Sequence, residues 1–233
     1  MADLLKSLMD CPRRVIVLIG PARSGKTSIA MELYYQRLDP IGKAGCLMIV
    51  PNLVAVNYMR QKLLQRSDTA SIISPAITTF SALAANILSS AGQNPAMLDK
   101  VQRWLILEQI VADLHAEGQL QAVGSLVGSA GLTNVLDAAI AELKRAAIDP
   151  ELLESVIDKS SARNVDLLKI YQRYQSYLRQ NNVADTEGKM WLARDILADN
   201  PSASIGYENI SAIVVDGFTD FTPTQLELSL IHI

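Results

Sequence analysis

The 233-residue chain has little that could hold a soft metal: two cysteines, Cys11 and Cys46, and two histidines, His115 and His232. Two thiols cannot complete a four-ligand metal site, and their placement suggests no disulfide framework, so both read as reduced, packed residues. His115 stands alone on a helix and His232 lies in the last residues of the chain; neither reads as a ligand. An excess of one charge is also missing. Lys and Arg number 21 against 24 Asp and Glu, a net charge of −3, so there is no global attraction for a polyanion or an anionic membrane, and any such contact has to be local. No apolar stretch exceeds that of Val15 to Ile19, far too short to cross a bilayer, and the beginning of the chain lacks the basic, apolar and small-residue order of a signal peptide. Repeats and low-complexity segments are absent. What is present is a hydrophobic content of 49%, ample for a buried core in one large domain or two small ones. The expectation is a soluble cytoplasmic protein with no membrane partner.

The run Val15 to Ile19 is short, continuous and rich in β-branched residues, which predicts a strand covered on both faces. From Lys26 to about Leu38 the residues favour helix, with Ile29, Ala30, Leu33 and Arg37 on one face, and Asp39-Pro40 ends it. Cys46 to Val50 predicts a second buried strand, cut by Pro51, and Val54 to Gln65 a helix returning across the sheet. A third strand candidate lies within Ser71 to Thr79, broken by Pro75, before a helix from Phe80 to about Leu88. Alternating strand and helix predict an α/β fold with a parallel, doubly wound sheet.

Helical periodicity then takes over. Leu98 to His115 is apolar on two sides, Val101, Leu105, Glu108 and Ala112 on one and Trp104, Leu107, Val111 and Leu114 on another. Leu136, Ile140, Leu143 and Ala147 form a stripe, Asp149-Pro150 opens a short helix, and Asn164 to Gln180 sets Leu167, Leu168, Tyr171, Tyr174 and Leu178 at helical spacing. Met190 to Leu197 adds another helix. Lys144, Arg145, Arg173 and Arg179 read as solvated helix faces. Tyr171, Tyr174 and Tyr177 could stack bases, although the spacing of the first two favours packing. From Ser211 the strand pattern resumes, and Ala212 to Val215 delivers Asp216 at a carboxyl end, where open α/β sheets place ligand-binding groups. The expected organisation is therefore 1–95 for the first part of the sheet domain, 96–205 for an all-helical insertion and 206–228 for the return to the sheet.

Chemistry concentrates at Gly20, Pro21, Ala22, Arg23, Ser24, Gly25, Lys26 and Thr27, a GxxxxGKT segment between a predicted strand and a predicted helix. That spacing lets backbone N–H groups wrap phosphates at a helix N-terminus, where the dipole adds positive potential. Lys26 would reach the β- and γ-phosphates of ATP, and Thr27 would place its hydroxyl on Mg²⁺. Such a P-loop needs a second acid at a neighbouring strand end, and Asp216 fits. In hydrolysing motors the next residue is commonly a Glu that activates water; here it is Gly217.

Asp216-Gly-Phe-Thr-Asp-Phe-Thr-Pro-Thr-Gln225 resembles a degraded DExQDxxxxQ segment of UvrD-like superfamily 1 helicases, keeping both acids and the final Gln. Leu47-Met-Ile-Val-Pro-Asn52 is similar to the strand and loop that grips single-stranded DNA in those motors, and Ile77-Thr-Thr-Phe-Ser-Ala-Leu83 to their TFHxL segment, with Ser81 in place of His. Asp185-Thr186 resembles the helical stretch leading toward the second acid motif. Glu is missing at Gly217, Gln at Thr219, and no LNxxQ-type adenine segment precedes Val15. With VDGFTDFTPTQ, these departures identify the chain as similar to the AddB/RexB-like subunits of bacterial helicase-nuclease complexes. The resemblance implies a RecA-like P-loop NTPase fold with a largely inactivated motor, ATP and Mg²⁺ as ligands, Thr27 and Asp216 on the metal, and no catalytic residue in this chain. It implies DNA, as a single strand or a duplex end, contacted through Asn52, Thr79, Phe80 and Ser81, an AddA/RexA-like partner subunit, and a role in double-strand break repair by recombination. Helix and turn capping by the same Asn, Thr and Ser residues is the alternative. Family members continue into a second helicase domain and a nuclease with an iron-sulfur cluster, so this chain reads as a truncated N-terminal part.

The chain stops just past the Asp216 strand with no closing helix expected, and Leu228 to Ile233, LSLIHI, is also what a widely used transposon sequencing adaptor encodes, so 229–233 reads as an artefactual tail. Two other functions stay open: an active UvrD-like helicase with Asp220 in place of the missing Glu, and a P-loop small-molecule kinase, for which no basic lid is evident.

Overall fold

In the computed structural model, which describes residues 6–8, 11, 15–38, 45–66, 76–199 and 210–230, the run Cys46–Ile49 forms strand β1 and all four side chains are buried. A strand this uniformly apolar is stable only with a neighbour on each edge and cover on each face. Both edges are filled: β2 (Ile77–Thr78) and β5 (Ala212–Val215) flank β1 in a parallel sheet of order β2-β1-β5. Met48 pairs with Ile77, and Cys46 to Ile49 pair in register with Ala212 to Val215. Helices α1 (Lys26–Tyr35), α2 (Leu53–Arg66) and α3 (Phe80–Ser90) belong to the same unit. Ala30 and Tyr34 of α1 and Val56, Met59 and Leu63 of α2 share one apolar cluster with Cys46, Met48, Val50 and Ile77. Burial pushes the Cys46 thiol up to about 11.

Three sequence expectations change here. The run Val15 to Ile19 pairs with none of β1, β2 or β5, and Val17 and Ile19 are 72% and 92% exposed. Its composition reports a tolerance for burial, whereas a strand also needs a backbone neighbour, and both edges of β1 are already taken. Of the expected α1 face Ile29, Ala30, Leu33 and Arg37, Ala30 alone is buried, and its partner in seating the helix is Tyr34. A helix does follow the last strand: α9 spans Pro223–Leu230, opening on a proline in its first turn, and it buries Leu228. Asp39-Pro40, residues 71–75 of the third strand candidate with Pro75, and residues 231–233 of the expected tail with His232 lie outside the described residues.

The second unit comprises Gly92–Leu192 with Thr222–Thr224. It holds α4 (Lys100–Ala116), α5 (Ala130–Arg145), α6 (Pro150–Val156), α7 (Ala162–Gln180) and the beginning of α8 (Thr186–Asp199). It is not all-helical, because β3 (Ala96–Met97) and β4 (Val183–Ala184) pair in parallel, Ala96 against Val183. Strands of two residues each are too short to leave a periodic signal. The helix starts follow local capping chemistry. Asp99 and Gln102 form a reciprocal capping box on α4, and the Asp149 carboxylate accepts from Leu152 N–H ahead of Pro150 on α6. Only one of the two apolar sides of α4 is used: Leu107, Val111 and Leu114 are buried with Ile110, whereas Val101 and Leu105 are 65% and 53% exposed. Leu136 and Ile140 of α5 and Tyr171, Tyr174 and Leu178 of α7 complete this core. Ala147 lies past the end of α5 at φ 57. Among the described residues no helix is long and apolar enough to cross a membrane.

Two buried carboxylates organise the second unit. Asp166, fully buried, accepts from the N–H groups of Ala122 at 2.7 Å, Val123 at 3.0 Å and Gln121 at 3.1 Å, fixing the segment before a short 3₁₀ turn at Gly124–Leu126. Asp166→Asn replaces a charged acceptor with an amide that cannot accept on both atoms, and should cost about 1–3 kcal/mol in urea unfolding; an unchanged midpoint would contradict the assignment. The other carboxylate is Asp185, and its partner overturns a sequence reading. Lys144, read there as a solvated residue, is 0% exposed, with Nζ 2.8 Å from both Asp185 oxygens. Arg173 and Arg179 are exposed as expected.

Candidate functional site

At the carboxyl ends of β2, β1 and β5 the parallel register aligns three departures of the chain: Thr79, the Val50-Pro51-Asn52 turn, and Asp216, whose N–H still donates to Ile49 C=O at 3.1 Å. Thr27, in the first turn of α1, meets the last of these. Its Oγ1 donates to Asp216 Oδ2 at 2.9 Å and lies 3.2 Å from Oδ1, joining residues 189 apart in sequence.

The Gly20–Thr27 loop is shaped by backbone requirements that its glycines meet. Gly25, at the N-cap of α1, has φ 87 and ψ 7, a left-handed conformation that costs a glycine little. At Gly20 a Cβ would stand 2.9 Å from Ser24 Oγ, so a side chain there would displace the Ser24 hydroxyl. Arg23 is also left-handed, at φ 63. No side chain caps α1, which leaves its first amides and the positive end of its dipole facing the loop. Lys26 curls over the loop, donating to Gly20 C=O and Pro21 C=O at 2.7 Å each and to Ser24 Oγ at 3.3 Å. The loop thus combines amide donors, an ammonium and a helix N-terminus, the equipment for an anion with several oxygens.

Thr27 Oγ1 and the Asp216 carboxylate are hard oxygen donors within hydrogen-bond distance of one another. Such a pair suits Mg²⁺, which takes one or two protein oxygens and fills its remaining positions with water and phosphate. Among the described residues no group of three or more His, Cys, Asp or Glu side chains could hold a metal by itself. Asp220 is exposed and accepts from Thr219 Oγ1 at 3.2 Å; it is Asp216 that meets Thr27.

The candidate DNA contacts all follow β1 or β2. Asn52 is exposed, with Oδ1 accepting from Ala55 N–H at 2.9 Å at the start of α2, and Thr79 Oγ1 accepts from Ala82 N–H at 3.2 Å at the start of α3. Both side chains therefore perform the capping chemistry that was the alternative reading. Ser81 is exposed in the first turn of α3, and Phe80 is 3% exposed.

Phe80 belongs to a cluster that sequence reasoning missed. All three phenylalanines of the chain meet there. Phe80 packs edge-on against Phe218 at 5.4 Å and Phe221 at 6.4 Å, and Phe218 stacks on Phe221 at 5.3 Å. The available signal was scarcity, since each of these few rings falls within a motif segment. Gly217 stands between Asp216 and this cluster with φ 83, and a Cβ on it would lie 3.3 Å from two ring carbons of Pro51.

Fold and site together define an α/β protein with a glycine-containing loop at a helix N-terminus set against a strand-end acid. The family model described as ADDB, N-terminal, matches residues 17–230, and the chain belongs to that family. It is similar to proteins named as the B-type subunit of ATP-dependent helicase/deoxyribonuclease: 25% identical to that of Natranaerobius thermophilus over 91% of this chain and 18% of the relative. Identity is 26% to that of Bacillus pumilus, over 92% and 19%, and 24% to that of Listeria innocua, over 90% and 18%. The chain thus spans about a fifth of the length of these relatives.

Proposed function

We propose that this chain is the ATP-binding N-terminal part of an AddB/RexB-like helicase/deoxyribonuclease component that acts on DNA ends in double-strand break repair by recombination. The observation that carries the reading is the hydrogen bond between Thr27 and Asp216, which joins the loop hydroxyl to the strand-end acid as a Mg-nucleotide site requires. In this reading the fold is a P-loop NTPase of the RecA-like, superfamily 1 kind. Backbone amides of Gly20 to Thr27 bind the phosphates, Lys26 orients the terminal ones, and Thr27 and Asp216 hold Mg²⁺. Held there, the cation would neutralise charge on the phosphates. DNA would pass over Asn52, Thr79 and Ser81, whose polar side chains can meet phosphate oxygens without reading sequence, while the fourth expected contact, Phe80, is buried and would lie beneath them. An AddA/RexA-like subunit is the proposed partner, and the iron-sulfur cluster implied by the family resemblance would belong to a region outside this chain.

Hydrolysis is proposed to be weak or absent, and the backbone supports this more strongly than the missing side chain alone. A glutamate at 217 would have to adopt a left-handed conformation and press against Pro51. Gly217→Glu is therefore expected to leave turnover as slow as before and to lower the thermal midpoint, instead of restoring a motor. The test is calorimetric ATP binding together with phosphate release, with and without single-stranded DNA. Tight binding with slow, DNA-insensitive release supports the reading; rapid DNA-stimulated release lost in Lys26→Ala would overturn the inactivation.

A further inference from the structure

We infer that Phe218 and Phe80 are positioning residues for Asp216: their ring contact holds the acid against Thr27 and so sets how much the site gains from a divalent cation. The inference rests on the nucleotide reading above and adds to that site a residue that follows a different strand.

Phe80 and Asp216 do not follow neighbouring strands. β1 lies between β2 and β5, and strands two places apart in a sheet stand about 9–10 Å from each other. The Phe80 and Phe218 ring centres are nonetheless 5.4 Å apart, so the side chains reach toward each other past the carboxyl end of β1. There Pro51 packs against Gly217, leaving the turn no room for a side chain.

The main chain alone gives Asp216 a one-sided hold. Its N–H is anchored on Ile49, and the next residue is Gly217, the residue type with the fewest backbone restrictions. Phe218 is the first side chain after the acid that can fix the turn. It is clasped edge-on by Phe80 and face-on by Phe221. Phe80 is itself well held, 3% exposed and directly after the Thr79 cap of α3. Edge-on and offset ring pairs prefer a narrow geometry, which makes the cluster a stiff brace. The brace thereby joins the start of α3 to the Asp216 turn.

The test uses the 233-residue chain and ATP itself, titrated calorimetrically with Mg²⁺ and with EDTA. The ratio of the two affinities isolates the contribution made through Thr27 and Asp216, since Lys26 and the loop amides act in both. Phe218→Leu and Phe80→Leu keep apolar bulk while removing the ring geometry. Each is expected to lower the ratio about tenfold, the scale on which outer-shell partners act on metal sites, with the EDTA affinity unchanged. Phe218→Tyr should retain the wild-type ratio. Leu83→Ala, a buried residue of α3 outside the ring cluster, controls for general destabilisation and should also leave the ratio unchanged. Wild-type ratios in both leucine variants would overturn the inference alone, as would a ratio lowered equally by Leu83→Ala. A wild-type chain that binds no ATP, or gains nothing from Mg²⁺, would overturn the nucleotide reading and this inference with it.

Discussion

Lys144→Ala is expected to destabilise the helical unit by about 3–5 kcal/mol, because removing one member of a buried ion pair leaves the other uncompensated. The surroundings show what would be left. Asp185 accepts from Lys144 Nζ at 2.8 Å, from Tyr174 OH at 3.0 Å and from Gly188 N–H at 2.6 Å. Lys144 also donates to Gln175 Oε1 at 3.2 Å, and its C=O accepts from Trp191 Nε1 at 3.1 Å. Glycine at 188 is obligatory, since a Cβ there would stand 2.8 Å from an Asp185 oxygen and 3.0 Å from Nζ. Burial lowers the Lys144 pKa against the pull of Asp185. For Asp185 burial acts to raise the pKa, but the Lys144 charge and the hydrogen bonds from Lys144, Gly188 and Tyr174 outweigh it, and the carboxyl titrates below its ordinary 3.8. A depressed acid stabilises the folded state fully above the unfolded pKa. That contribution is lost as pH falls from about 4 through the lower folded value. Urea unfolding at pH 7 and at pH 3 should therefore show a large Lys144→Ala penalty at the first and a smaller one at the second. Equal stability of variant and wild type at pH 7 would contradict the buried pair. Lys144→Met with Asp185→Leu should recover much of the loss, because two apolar side chains of similar volume carry no unpaired charge.

Lys26→Ala is expected to weaken ATP binding by about 2–3 kcal/mol, roughly 30- to 150-fold, the scale of hydrogen bonds to charged groups. The ammonium now donates to Gly20 C=O, Pro21 C=O and Ser24 Oγ within the loop, so it already occupies the space that bound phosphate oxygens would enter. Phosphate would replace neutral acceptors with charged ones, which is why the loss should appear in affinity far more than in folding. Calorimetry with ATP in Mg²⁺ reads the first, and thermal unfolding without ATP the second. Undiminished affinity in the variant would remove the loop from the nucleotide site.

Much of this was legible in sequence because it is local. The GxxxxGKT spacing, the Asp149-Pro150 helix start, the α5 and α7 stripes and the strand-end place of Asp216 each depend on residues a few positions apart. The departures arise where the partner is distant. Val15 to Ile19 has the composition of a covered strand but pairs with none of β1, β2 and β5, and a run of apolar residues cannot name its neighbour. Lys144 follows the α5 stripe at the helix end, where a long cation normally reaches water. Only Asp185, 41 residues on, makes its burial tolerable. For Phe80, Phe218 and Phe221, the strand order leaves β1 between β2 and β5, and the ring contact arises from side chains that reach past its carboxyl end. The sequence by itself determined the GxxxxGKT segment at a helix start, the strand-end place of Asp216 and the helices of the second unit. Backbone geometry and side-chain periodicity act over a few residues, and they are written there. The tertiary structure supplied the direct Thr27–Asp216 hydrogen bond, and it alone decided that Lys144 is buried and that Phe80 at the start of α3 meets Phe218 after β5, because each depends on which distant segments come together.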